Sequence, residues 1–328
     1  MIVTLDANAN GEAVRRELVG RGLWVQRFEA TEEGPGYYFI EAGSSAIDAN
    51  ELRLLEGVAS VATRPVLHPL LDRQPPRVNV GGIAIGAGAD PVLIAGPCSV
   101  ESPEGIDRIA GRLAGFGVRF LRGGAYKPRT SPYSFQGHGA RALRWMRDAA
   151  DTHGMRVVTE AIGVAEVAPV AEVADLMQIG SRNMHHAPLL RAAGATGKPI
   201  LLKRAMAATV HEWLLAAEYC LSYGAAGVIL CERGLRGFEP NMRHLLDLGS
   251  VALLAHVHWL PVIVDPSHGA GRRDLIAPLC RAAIAAGAAG LMVETHDDPG
   301  RALSDGSQAL PIEEIAEVQP CPRETSHA

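Results

Sequence analysis

The N-terminal part of the chain, residues 1–69, is predicted to form a small βαββαβ unit. "MIVTLDA" alternates apolar and polar residues as a half-buried strand does, and "NGEAVRRELVGRG" has a helical apolar stripe between a capping Asn and a terminal Gly. The further predicted elements are the strands "LWVQRFEA" and "GYYFIEAG", a helix "DANELRLLEG" and a strand "VASVATRPV". This is the order of a ferredoxin-like domain. Because no cluster of titratable residues in it looks catalytic, we expect an appended, regulatory module.

Residues 70–90 are predicted to be a linker followed by a small β-hairpin. The Pro-bearing stretch "HPLLDRQPPR" has the turn-forming residues of an inter-domain connection. "VNVGGIAIGAG" then has two short apolar runs about a Gly-Gly pair, which is a hairpin signal. The main domain is therefore expected to begin at residue 91.

From residue 91 onward the chain alternates short, continuously apolar runs with helical segments. The runs are "PVLIAG", "VRFLRGG", "MRVVTEA", "LMQIGSR", "PILLKR", "GVILCERG", "PVIVDPSH" and "GLMVETH". Continuous apolar strands with short connections are typical of a parallel sheet that is covered on both faces. The pattern predicts a (β/α)₈ TIM barrel over residues 91–318, with a doubly wound open sheet as the alternative, since counting strands does not establish closure. The Pro-rich residues 319–328 are expected to be a disordered tail.

The composition is that of an ordinary globular protein with no sign of a nucleic-acid or membrane partner. Of the 328 residues 48% are hydrophobic and 20% are charged, and the formal net charge is −5. Bound anions must therefore be held by locally placed cations. The five cysteines are an odd, scattered set, which favours reduced thiols over a disulfide framework. Because neither a signal peptide nor an apolar run of about 18 residues is seen, we expect a cytoplasmic protein.

Polar and charged residues follow every one of the predicted barrel strands. In chain order they are Cys98; Arg122 and Lys127; Glu160; Arg182; Lys203 and Arg204; Glu232 and Arg233; Asp265 and His268; Glu294 and His296. In a barrel these positions meet at the C-terminal face, where the βα loops form the active site. For any one residue, the alternative is that it merely marks the end of a buried strand. Their recurrence after each strand favours a single site.

The predicted site is rich in cations. They are Arg122, Lys127, Arg129, Arg182, Lys203 and Arg233. Guanidinium and ammonium groups in this number suit two phosphate-like groups and a carboxylate. We expect Glu160, Glu232, Asp265 or a bound ligand to neutralise some of these cations, because unpaired they would repel one another. A surface salt-bridge network is the alternative interpretation.

Four residues near the ends of the first, seventh and eighth predicted strands offer ligands for a divalent metal ion. They are Cys98, His268, Glu294 and Asp305. A thiolate, an imidazole and two carboxylates suit Mn, Fe, Co or Zn better than Mg or Ca. Spacing alone is a weak signal, since a cysteine by itself is more often a small buried residue. His256 and His258 of "HVHW" are poorer candidates, because i and i+2 side chains face different sides of a helix.

Several motifs together resemble the 3-deoxy-D-arabino-heptulosonate 7-phosphate (DAHP) synthases that carry an N-terminal ferredoxin-like domain. These motifs are "IAGPCSVES", "LRGGAYKPRTSPYSFQG", "VVTEA", "QIGSRNM", "LLKR", "ILCERG", "VDPSH", "AAIAAGAAGLMVETH" and "ALSDG". The likeness extends from residue 1 to about residue 310, and "GGAYKPRTSPYSFQG" is a highly specific block. The resemblance implies a transferase that condenses phosphoenolpyruvate with erythrose 4-phosphate, using a divalent metal ion. That reaction is the entry to the shikimate pathway of aromatic amino acid biosynthesis.

The resemblance also implies a role for each motif residue. It assigns phosphoenolpyruvate to Arg122, Lys127, Arg182, Lys203 and Arg233. It assigns the phosphate of the aldehyde to Arg129, Thr130 and Ser131, and the metal to Cys98, His268, Glu294 and Asp305. The catalytic residues it implies are Lys127, which can meet both substrates, and Glu160, His268 and Asp265.

Several positions depart from the motifs of this subgroup, and all of them follow the fourth, fifth or sixth predicted strand. They are His185, His186, Ala205, Ala208, Gly237, His244 and Leu245. Their location indicates altered loop packing, an altered acceptor pocket or a changed subunit contact, unless they are drift in an enzyme with unchanged substrates.

Three functions therefore stay open. The first is a DAHP synthase, in primary or in secondary metabolism. The second is a related synthase with a different phosphorylated aldehyde, including the 3-deoxy-manno-octulosonate 8-phosphate synthase reaction, although the intact "KPRTS" disfavours that sibling. The third is a non-catalytic regulatory paralog.

The resemblance extends to regulation and assembly. In relatives the ferredoxin-like domain can bind an aromatic amino acid and close over the barrel, which inhibits the enzyme. "GPGYYFIEAG" is a strand that could serve this role. A homo-oligomer, a tetramer or a dimer, is expected on the same ground.

Overall fold

The structure is a computed structural model that describes residues 1–30, 35–41, 44–63, 68–128 and 131–321. The chain divides into two compact units, Met1–Leu67 and His68–Ala328. The cysteines are free thiols, of which Cys321 is exposed and the others are buried. Within the described ranges, no helix is both long and apolar enough to cross a lipid bilayer.

The first unit is a four-stranded antiparallel sheet with two helices. Its elements are β1 (Ile2–Leu5), α1 (Gly11–Gly20), β2 (Val25–Phe28), β3 (Tyr37–Ile40), α2 (Ala49–Arg53) and β4 (Val58–Ala62), and the strand order is β2-β3-β1-β4. The side chains of Asn10 and Asp48 cap the two helices by accepting backbone N–H bonds. The βαββαβ order predicted from the sequence is confirmed.

The second unit begins with a short helix where a linker was expected. Pro69–Asp72 form α3, whose Leu71 is buried. The backbone N–H groups of Leu70 and Leu71 donate to the carboxylate of Glu218, at 3.0 and 2.8 Å. A carboxylate far away in sequence therefore caps this helix. Because Glu218 is distant in sequence, the proline-bearing stretch alone does not predict this helix.

A β-hairpin closes the N-terminal end of the barrel. It consists of β5 (Arg77–Val80) and β6 (Ile83–Gly86), and its Val78, Val80 and Ile85 join the apolar cluster inside the barrel. The side chain of Gln74 makes two hydrogen bonds to the backbone of Val228, at 3.0 and 2.6 Å. These contacts fix the hairpin where the strands begin.

Eight parallel strands form a closed barrel, so the predicted TIM barrel is confirmed. The strands are β7 (Val92–Gly96), β8 (Phe120–Arg122), β9 (Arg156–Glu160), β10 (Leu176–Ile179), β11 (Ile200–Lys203), β12 (Val228–Glu232), β13 (Val262–Val264) and β14 (Gly290–His296). Each strand pairs with the next, and β14 pairs with β7. The last pairing excludes the open sheet. A short strand, β15 (Leu310–Pro311), extends β14.

Helices cover the outside of the barrel. They are α4 (Pro103–Gly115), α5 (Ala140–Thr152), α6 (Val164–Val173), α7 (Ala187–Gly194), α8 (Val210–Ser222), α9 (Leu248–His256), α10 (Pro266–Ala270) and α11 (Ile276–Ala285). Short 3₁₀ helices are Ser181–Asn183, Arg273–Leu275 and Pro299–Arg301.

A fourth 3₁₀ helix, Ile312–Val318, follows the last barrel strand. Its buried residues, Ile312, Ile315 and Val318, recur every third position. That spacing matches the three residues per turn of a 3₁₀ helix. Of the tail predicted to be disordered, residues 322–328 lie outside the described ranges.

Candidate active site

A cavity of about 340 Å³ lies at the C-terminal ends of the barrel strands. It is lined by Arg122, Lys127, Pro128, Ser131, Ser134, Glu160, Gln178, Gly180, Ser181, Arg182, Lys203, Met206, Arg233, Arg243, His268 and Asp305. A larger cavity of about 610 Å³ lies between the Gly271–Asp274 segment and the last 3₁₀ helix, and none of the predicted site residues lines it. The smaller cavity is therefore the candidate site.

The strand ends deliver the site residues to the cavity. Arg122, Glu160 and Lys203 are the last residues of β8, β9 and β11. At Gly96, which ends β7, φ is 152°, and a Cβ there would approach the carbonyl oxygen of Arg122 to 2.0 Å. Only glycine tolerates this approach, so it permits the turn that leads from β7 to Cys98.

Three of the four predicted metal ligands form a compact cluster. One ligand atom each from Cys98, Glu294 and Asp305 lies within 4.8 Å of the others, and Cys98 Sγ is 3.1 Å from Asp305 Oδ2. His268 Nε2, the predicted fourth ligand, is 3.4 Å from Glu294 Oε1 and so borders the cluster. Sulfur, carboxylate and imidazole donors in a largely buried place fit a divalent transition metal ion.

A chain of hydrogen bonds and ion pairs connects this cluster to the cavity. Arg122 Nη1 donates to Glu294 Oε1 at 2.9 Å. The same oxygen faces His268, whose Nδ1 is 2.7 Å from Asp265 Oδ2. Asp265 in turn accepts a short hydrogen bond from the ammonium of Lys203. Each charge has a partner of opposite sign, which is what a buried ion needs to persist.

The two buried carboxyl groups are held in the ionised form. Burial alone would raise their pKa values, but His268, Arg122 and Lys127 lower the pKa of Glu294 to about 2. His268 and Lys203 likewise hold the pKa of Asp265 well below its usual range, against the effect of burial. Both groups are therefore anions at neutral pH.

The Cys98 thiol behaves in the opposite way. Burial, reinforced by the nearby Glu294 carboxylate, raises the pKa of Cys98 to about 12. The Lys127 ammonium acts against this shift, since its Nζ is 2.9 Å from Cys98 Sγ and donates to the Cys98 carbonyl at 2.9 Å. A cation bound to the thiolate would favour deprotonation further.

The cations predicted for phosphoenolpyruvate all line the cavity, but they differ in burial. Arg122, Lys203 and Arg233 are buried, whereas Arg182 is exposed and donates to the Pro128 carbonyl at 3.4 Å. Arg122 Nε is buried without a hydrogen-bond partner among the described residues. The cavity is thus a basic site that combines buried and exposed cations.

The residues predicted for the phosphate of the aldehyde lie on the loop after β8. Arg129 and Thr130 lie outside the described residues. Ser131, which follows them directly, lines the cavity together with Ser134. The described part of the loop therefore reaches the cavity at Ser131 and Ser134.

Glu160 lies on the cavity wall beside Gln178. Gln178 Nε2 donates to Glu160 Oε2 at 3.0 Å. A Cβ at Gly180 would lie 2.1 Å from Glu160 Oε1, so the absence of a side chain there gives the carboxylate its place. Glu160 is thus oriented from both sides.

Glu232 does not neutralise the cavity cations, contrary to the expectation. It is fully buried, pairs with Arg204 at 3.0 Å and accepts from the Gly234 N–H at 2.6 Å. Side chains of successive residues at a strand end point to opposite faces. Arg233 lines the cavity, so the side chain of the preceding residue, Glu232, points away from it. Glu232 and Arg204 therefore form a separate ion pair that does not line the cavity. Likewise His296 lies outside the cavity lining and accepts from the Asp298 N–H at 3.0 Å.

Sequence reasoning missed several lining residues: Gln178, Ser181, Met206 and Arg243. Gln178 had a signal, since it is the polar residue of the strand "LMQI". Arg243 had none, because it lies in the long connection between β12 and α9, where no periodicity places it.

One of the departing positions, His244, adjoins the cavity cations. Its backbone N–H donates to the Gly269 carbonyl at 2.9 Å, and its Nδ1 is buried without a described partner. Burial, together with Arg233, Arg243 and other nearby cations, lowers the pKa of His244 to about 4. The imidazole is therefore neutral at pH 7.

The other departing positions differ in exposure. Ala208 is buried and Ala205 is partly buried. The exposed ones are His185, His186, Gly237 and Leu245.

Comparison with known proteins places these features in a family. The sequence profile of the DAHP synthetase I family matches residues 63–328. The phospho-2-dehydro-3-deoxyheptonate aldolase of Thermotoga maritima is 52% identical over 241 residues, which cover 74% of this chain and 71% of the relative. The 2-dehydro-3-deoxyphosphooctonate aldolase of Bordetella bronchiseptica is 33% identical over 261 residues, which cover 72% of this chain and 90% of the relative.

Solved structures of similar proteins agree with this. A crystal structure of the DAHP synthase of Thermotoga maritima superposes with a TM-score of 0.75 at 42% identity, covering 97% of this chain and 94% of the other. A truncated form of the 3-deoxy-D-arabino-heptulosonate 7-phosphate synthase from the same organism superposes with a TM-score of 0.68 at 47% identity. That match covers 74% of this chain and 88% of the other.

Proposed function

The chain belongs to the DAHP synthetase I family, and from this membership we propose that it condenses phosphoenolpyruvate with erythrose 4-phosphate. The products are DAHP and inorganic phosphate, so the protein is a transferase, a 3-deoxy-7-phosphoheptulonate synthase, that acts at the first step of the shikimate pathway. The observation that carries the proposal is the adjacency of two features. A basic cavity is bordered by the cluster of Cys98, Glu294 and Asp305.

The described lining itself supplies four arginines and two lysines: Arg122, Arg182, Arg233, Arg243, Lys127 and Lys203.

The reaction sets what the site has to do. C3 of phosphoenolpyruvate bonds to the aldehyde carbon, water adds at C2, and the C2–O bond to the phosphate breaks, so that inorganic phosphate leaves. The attacking water gives up two protons in all, one of which ends on the aldehyde oxygen and the other on the released phosphate. Both substrates are anions, and cations that hold them side by side supply the proximity that water cannot.

We assign the metal to Cys98, Glu294 and Asp305, with His268 as the fourth ligand. Support comes from the ligand atoms that lie within 4.8 Å of one another and from the ionised state of Glu294. Asp265 accepts from His268 Nδ1, which directs Nε2 towards Glu294. When bound, a divalent metal supplies a Lewis acid that stabilises negative charge on the aldehyde oxygen. Mn, Fe, Co and Zn all suit this donor set.

We assign phosphoenolpyruvate to Arg122, Lys127, Arg182, Lys203 and Arg233. The buried members of this set have fixed positions, because Glu294 and Asp265 hold Arg122 and Lys203. Exposed Arg182 can adjust to the substrate. Guanidinium groups bind phosphate and carboxylate oxygens in pairs, which orients the enol phosphate as well as holding it.

The acceptor phosphate is assigned to Arg129, Thr130 and Ser131. Ser131 lines the cavity, and this supports the assignment of the loop as a whole. The distance between the two anion sites then selects the length of the aldehyde.

Two residues remain for the proton transfers. Lys127 lies beside Cys98 in the cavity and is suited to donate a proton to the aldehyde oxygen. The Nε2 of His268 faces the metal cluster. We therefore assign Glu160, rather than His268, to accept a proton from the attacking water. Asp265 acts through His268 and is a positioning residue.

A different acceptor is the alternative. The relative from Bordetella bronchiseptica is named a 2-dehydro-3-deoxyphosphooctonate aldolase, and it is 33% identical to this chain. The higher identity of 52% to the heptonate aldolase favours the four-carbon acceptor. A catalytically inactive regulatory paralog is disfavoured by the compact ligand cluster and the basic cavity.

Regulation, assembly and location are finer parts of the same proposal. The βαββαβ unit supports binding of an aromatic amino acid effector, which calorimetry with tyrosine and phenylalanine tests. Family membership supports a homo-oligomer, a tetramer or a dimer, which light scattering tests. The free thiols support a cytoplasmic location.

Phosphate release tests the proposed function. We expect phosphate to appear only when both substrates and a divalent metal ion are present. The variant Cys98→Ala should lose at least about 100-fold in rate, because a metal site contributes several kcal/mol to the stabilisation of the transition state. The control is Cys280→Ala, which removes a buried thiol that lies outside the cavity. Phosphate release from phosphoenolpyruvate alone, or full activity of Cys98→Ala, would contradict the assignment.

A further inference from the structure

The side chain of Gln308 joins two parts of the candidate site. Gln308 is 3% exposed. Its Nε2 donates to Glu294 Oε2 at 2.5 Å, and its Oε1 accepts from Arg243 Nη1 at 3.1 Å. The orientation of the amide follows from chemistry, because a guanidinium can only donate and an ionised carboxylate can only accept. One amide thus contacts a candidate metal ligand and a cavity cation.

Both partners of Gln308 belong to the site, but to different functions. Glu294 is fully buried within the metal cluster, and its other oxygen accepts from Arg122. Arg243 lines the cavity, and its backbone N–H donates to the Ala270 carbonyl at 2.9 Å. The guanidinium has five N–H donors, so one bond to Gln308 leaves donors for an anion in the cavity.

We propose that Gln308 is a positioning residue that couples the metal cluster to anion binding at Arg243. This inference rests on the proposed function, since it takes the cluster as a metal site and the cavity as an anion site. Gln308 orients the Glu294 carboxylate for the metal and holds the Arg243 guanidinium at the cavity. An anion bound by Arg243 and a cation bound by Glu294 then affect each other through the same amide.

The loop that carries Gln308 is held in a fixed conformation. Its Asp305 is a metal-ligand candidate and has a positive φ of 49°. The N–H of Gln308 donates to the Asp305 carbonyl at 3.2 Å. Arg273 Nη2 donates to the carbonyl of Gly306 at 3.0 Å. The loop therefore places a metal ligand and the bridging amide together, and strain at Asp305 is offset by these contacts.

A primary amide of this length is needed at position 308. A methionine has similar length but neither donates nor accepts strongly, so it would leave Glu294 Oε2 and Arg243 without their partner. A glutamate could accept from Arg243, but its carboxylate would face that of Glu294. Only the amide satisfies a carboxylate on one side and a guanidinium on the other.

Coupling through Gln308 has a reciprocal consequence. If Arg243 and the metal cluster share one bridge, loss of Arg243 weakens metal binding, although among the described residues Arg243 makes no hydrogen bond or ion pair with a candidate ligand. Outer partners of metal ligands typically contribute 10–100-fold to metal affinity, roughly. Thermodynamic linkage then requires that the metal strengthens anion binding by the same factor as the anion strengthens metal binding.

Metal binding without substrates tests the coupling. Affinity for Mn²⁺, and in parallel for Zn²⁺, is measured by calorimetry on the full chain and on the variants Gln308→Met, Arg243→Met and the double variant. We expect Gln308→Met to weaken binding about 10-fold and Arg243→Met to weaken it less. The double variant should match Gln308→Met alone, since the bridge is already broken.

The matched control is Thr295→Val. Thr295 lies next to Glu294 and donates from Oγ1 to the Leu310 carbonyl at 2.8 Å, so this variant loses one buried hydrogen bond and leaves the bridge intact. Its metal affinity should equal that of the unaltered protein. A weakening as large as that of Gln308→Met would overturn the proposal, because it would reflect general loosening of β14.

Further outcomes are decisive for the coupling. Unchanged metal affinity in Gln308→Met would overturn the proposed coupling. A double variant whose fold-loss of metal affinity equals the product of the losses in the two single variants would also overturn it. An unaltered protein that binds neither ion would overturn it together with the metal site. If Gln308→Met fails to fold, Arg243→Met, at an exposed position, still decides: unchanged metal affinity contradicts the bridge.

The same titrations separate this inference from the proposed function. Coupled metal binding in a protein without condensation activity would leave the bridge standing and overturn the function. Condensation activity in a protein whose metal affinity does not depend on Gln308 and Arg243 would support the function and overturn the bridge. With activity present, Arg243→Met should raise the KM of a phosphorylated substrate more than it lowers kcat.

Discussion

Adjacent residues at the strand ends of this barrel have opposite surroundings. Lys203 lines the cavity and pairs with Asp265, whereas Arg204 pairs with Glu232 and Asp247 away from the cavity lining. The alternation of strand side chains produces this division. One residue of such a pair lines the candidate site, and its neighbour forms an ion pair outside the cavity lining.

Two substrate cations should respond differently to substitution. Lys203→Met leaves the Asp265 carboxylate buried without its ammonium partner and should cost about 3 kcal/mol of unfolding free energy. Arg182→Met removes an exposed cation and should change stability by less than about 0.5 kcal/mol while raising the KM of phosphoenolpyruvate. Denaturant unfolding and steady-state kinetics on both variants test this. Equal losses of stability would contradict the assigned burial.

The neutral state of His244 makes a pH prediction. The pKa of its imidazole falls from 6.5 to about 4 in the folded chain. The unfolded chain therefore takes up this proton first, so stability should fall as the pH drops from 6.5 towards 4. His244→Asn should lessen that fall. An NMR titration of the imidazole checks it directly, and a midpoint near 6.5 would refute it.

The sequence predicts the position of site residues that follow barrel strands, but not of residues that act through other side chains. Cys98, Glu294 and Asp305 follow barrel strands, so their convergence could be expected, and the structure brings them together. Gln308 could not be expected, because it works through Glu294 and Arg243 rather than by a motif of its own. Arg204 and Glu232 also follow strands, yet they face away from the cavity, and strand ends alone do not distinguish the two faces.

At the scale of elements, caps made by distant or local side chains decide where helices begin. Helix α8 follows the Lys203 strand and begins with a capping box, in which Thr209 Oγ1 accepts from Glu212 N at 3.2 Å and Glu212 Oε2 accepts from Thr209 N at 2.8 Å. The box satisfies N–H groups that the helix leaves unpaired. It therefore fixes the start of the helix behind β11.

Removal of this cap should be measurable. Thr209→Ala should lower the unfolding free energy by about 1 kcal/mol. The matched control is Thr152→Ala, since Thr152 Oγ1 bonds only the Asp148 carbonyl near the end of α5 and caps no N-terminus. Denaturant unfolding compares the two. A larger loss for Thr152→Ala would contradict the importance of the cap.

Elements with a strong local sequence pattern were predicted, whereas elements that depend on partners distant in sequence were not. Alternation in "MIVTLDA" and the Gly-Gly pair of "VNVGGIAIGAG" predicted strands that the structure contains. Helix α3 was not predicted, because Glu218 caps it from another helix. The last 3₁₀ helix was not predicted either, since its apolar spacing of three follows from packing rather than from helix propensity.

At the scale of the whole molecule, the candidate site belongs to one unit. Every residue that lines the cavity and every member of the metal cluster lies in the second unit, which begins at His68. The two units also have separate apolar clusters. The second unit therefore has its own apolar core and contains the described residues of the candidate site.

A shortened protein that begins at His68 should fold and keep condensation activity. Among the residues that the structure describes, the strands of this unit pair only with one another, so no barrel strand is expected to lose a partner. Circular dichroism and the phosphate-release assay test this, with the full chain as control. If an aromatic amino acid inhibits the full chain, the shortened protein should be insensitive to it. An unfolded or inactive shortened protein would contradict the division.

The choice of aldehyde acceptor tests the proposed condensation most directly. The measurement is kcat/KM for erythrose 4-phosphate against a pentose 5-phosphate that is one carbon longer, with phosphoenolpyruvate and a divalent metal ion, and with the product mass recorded. The proposed sites for phosphoenolpyruvate and for the acceptor phosphate would together set the length of the aldehyde. We therefore predict the seven-carbon product and a preference of at least about 10-fold for the four-carbon acceptor. Equal or better use of the pentose, or no turnover with either aldehyde, would contradict the account.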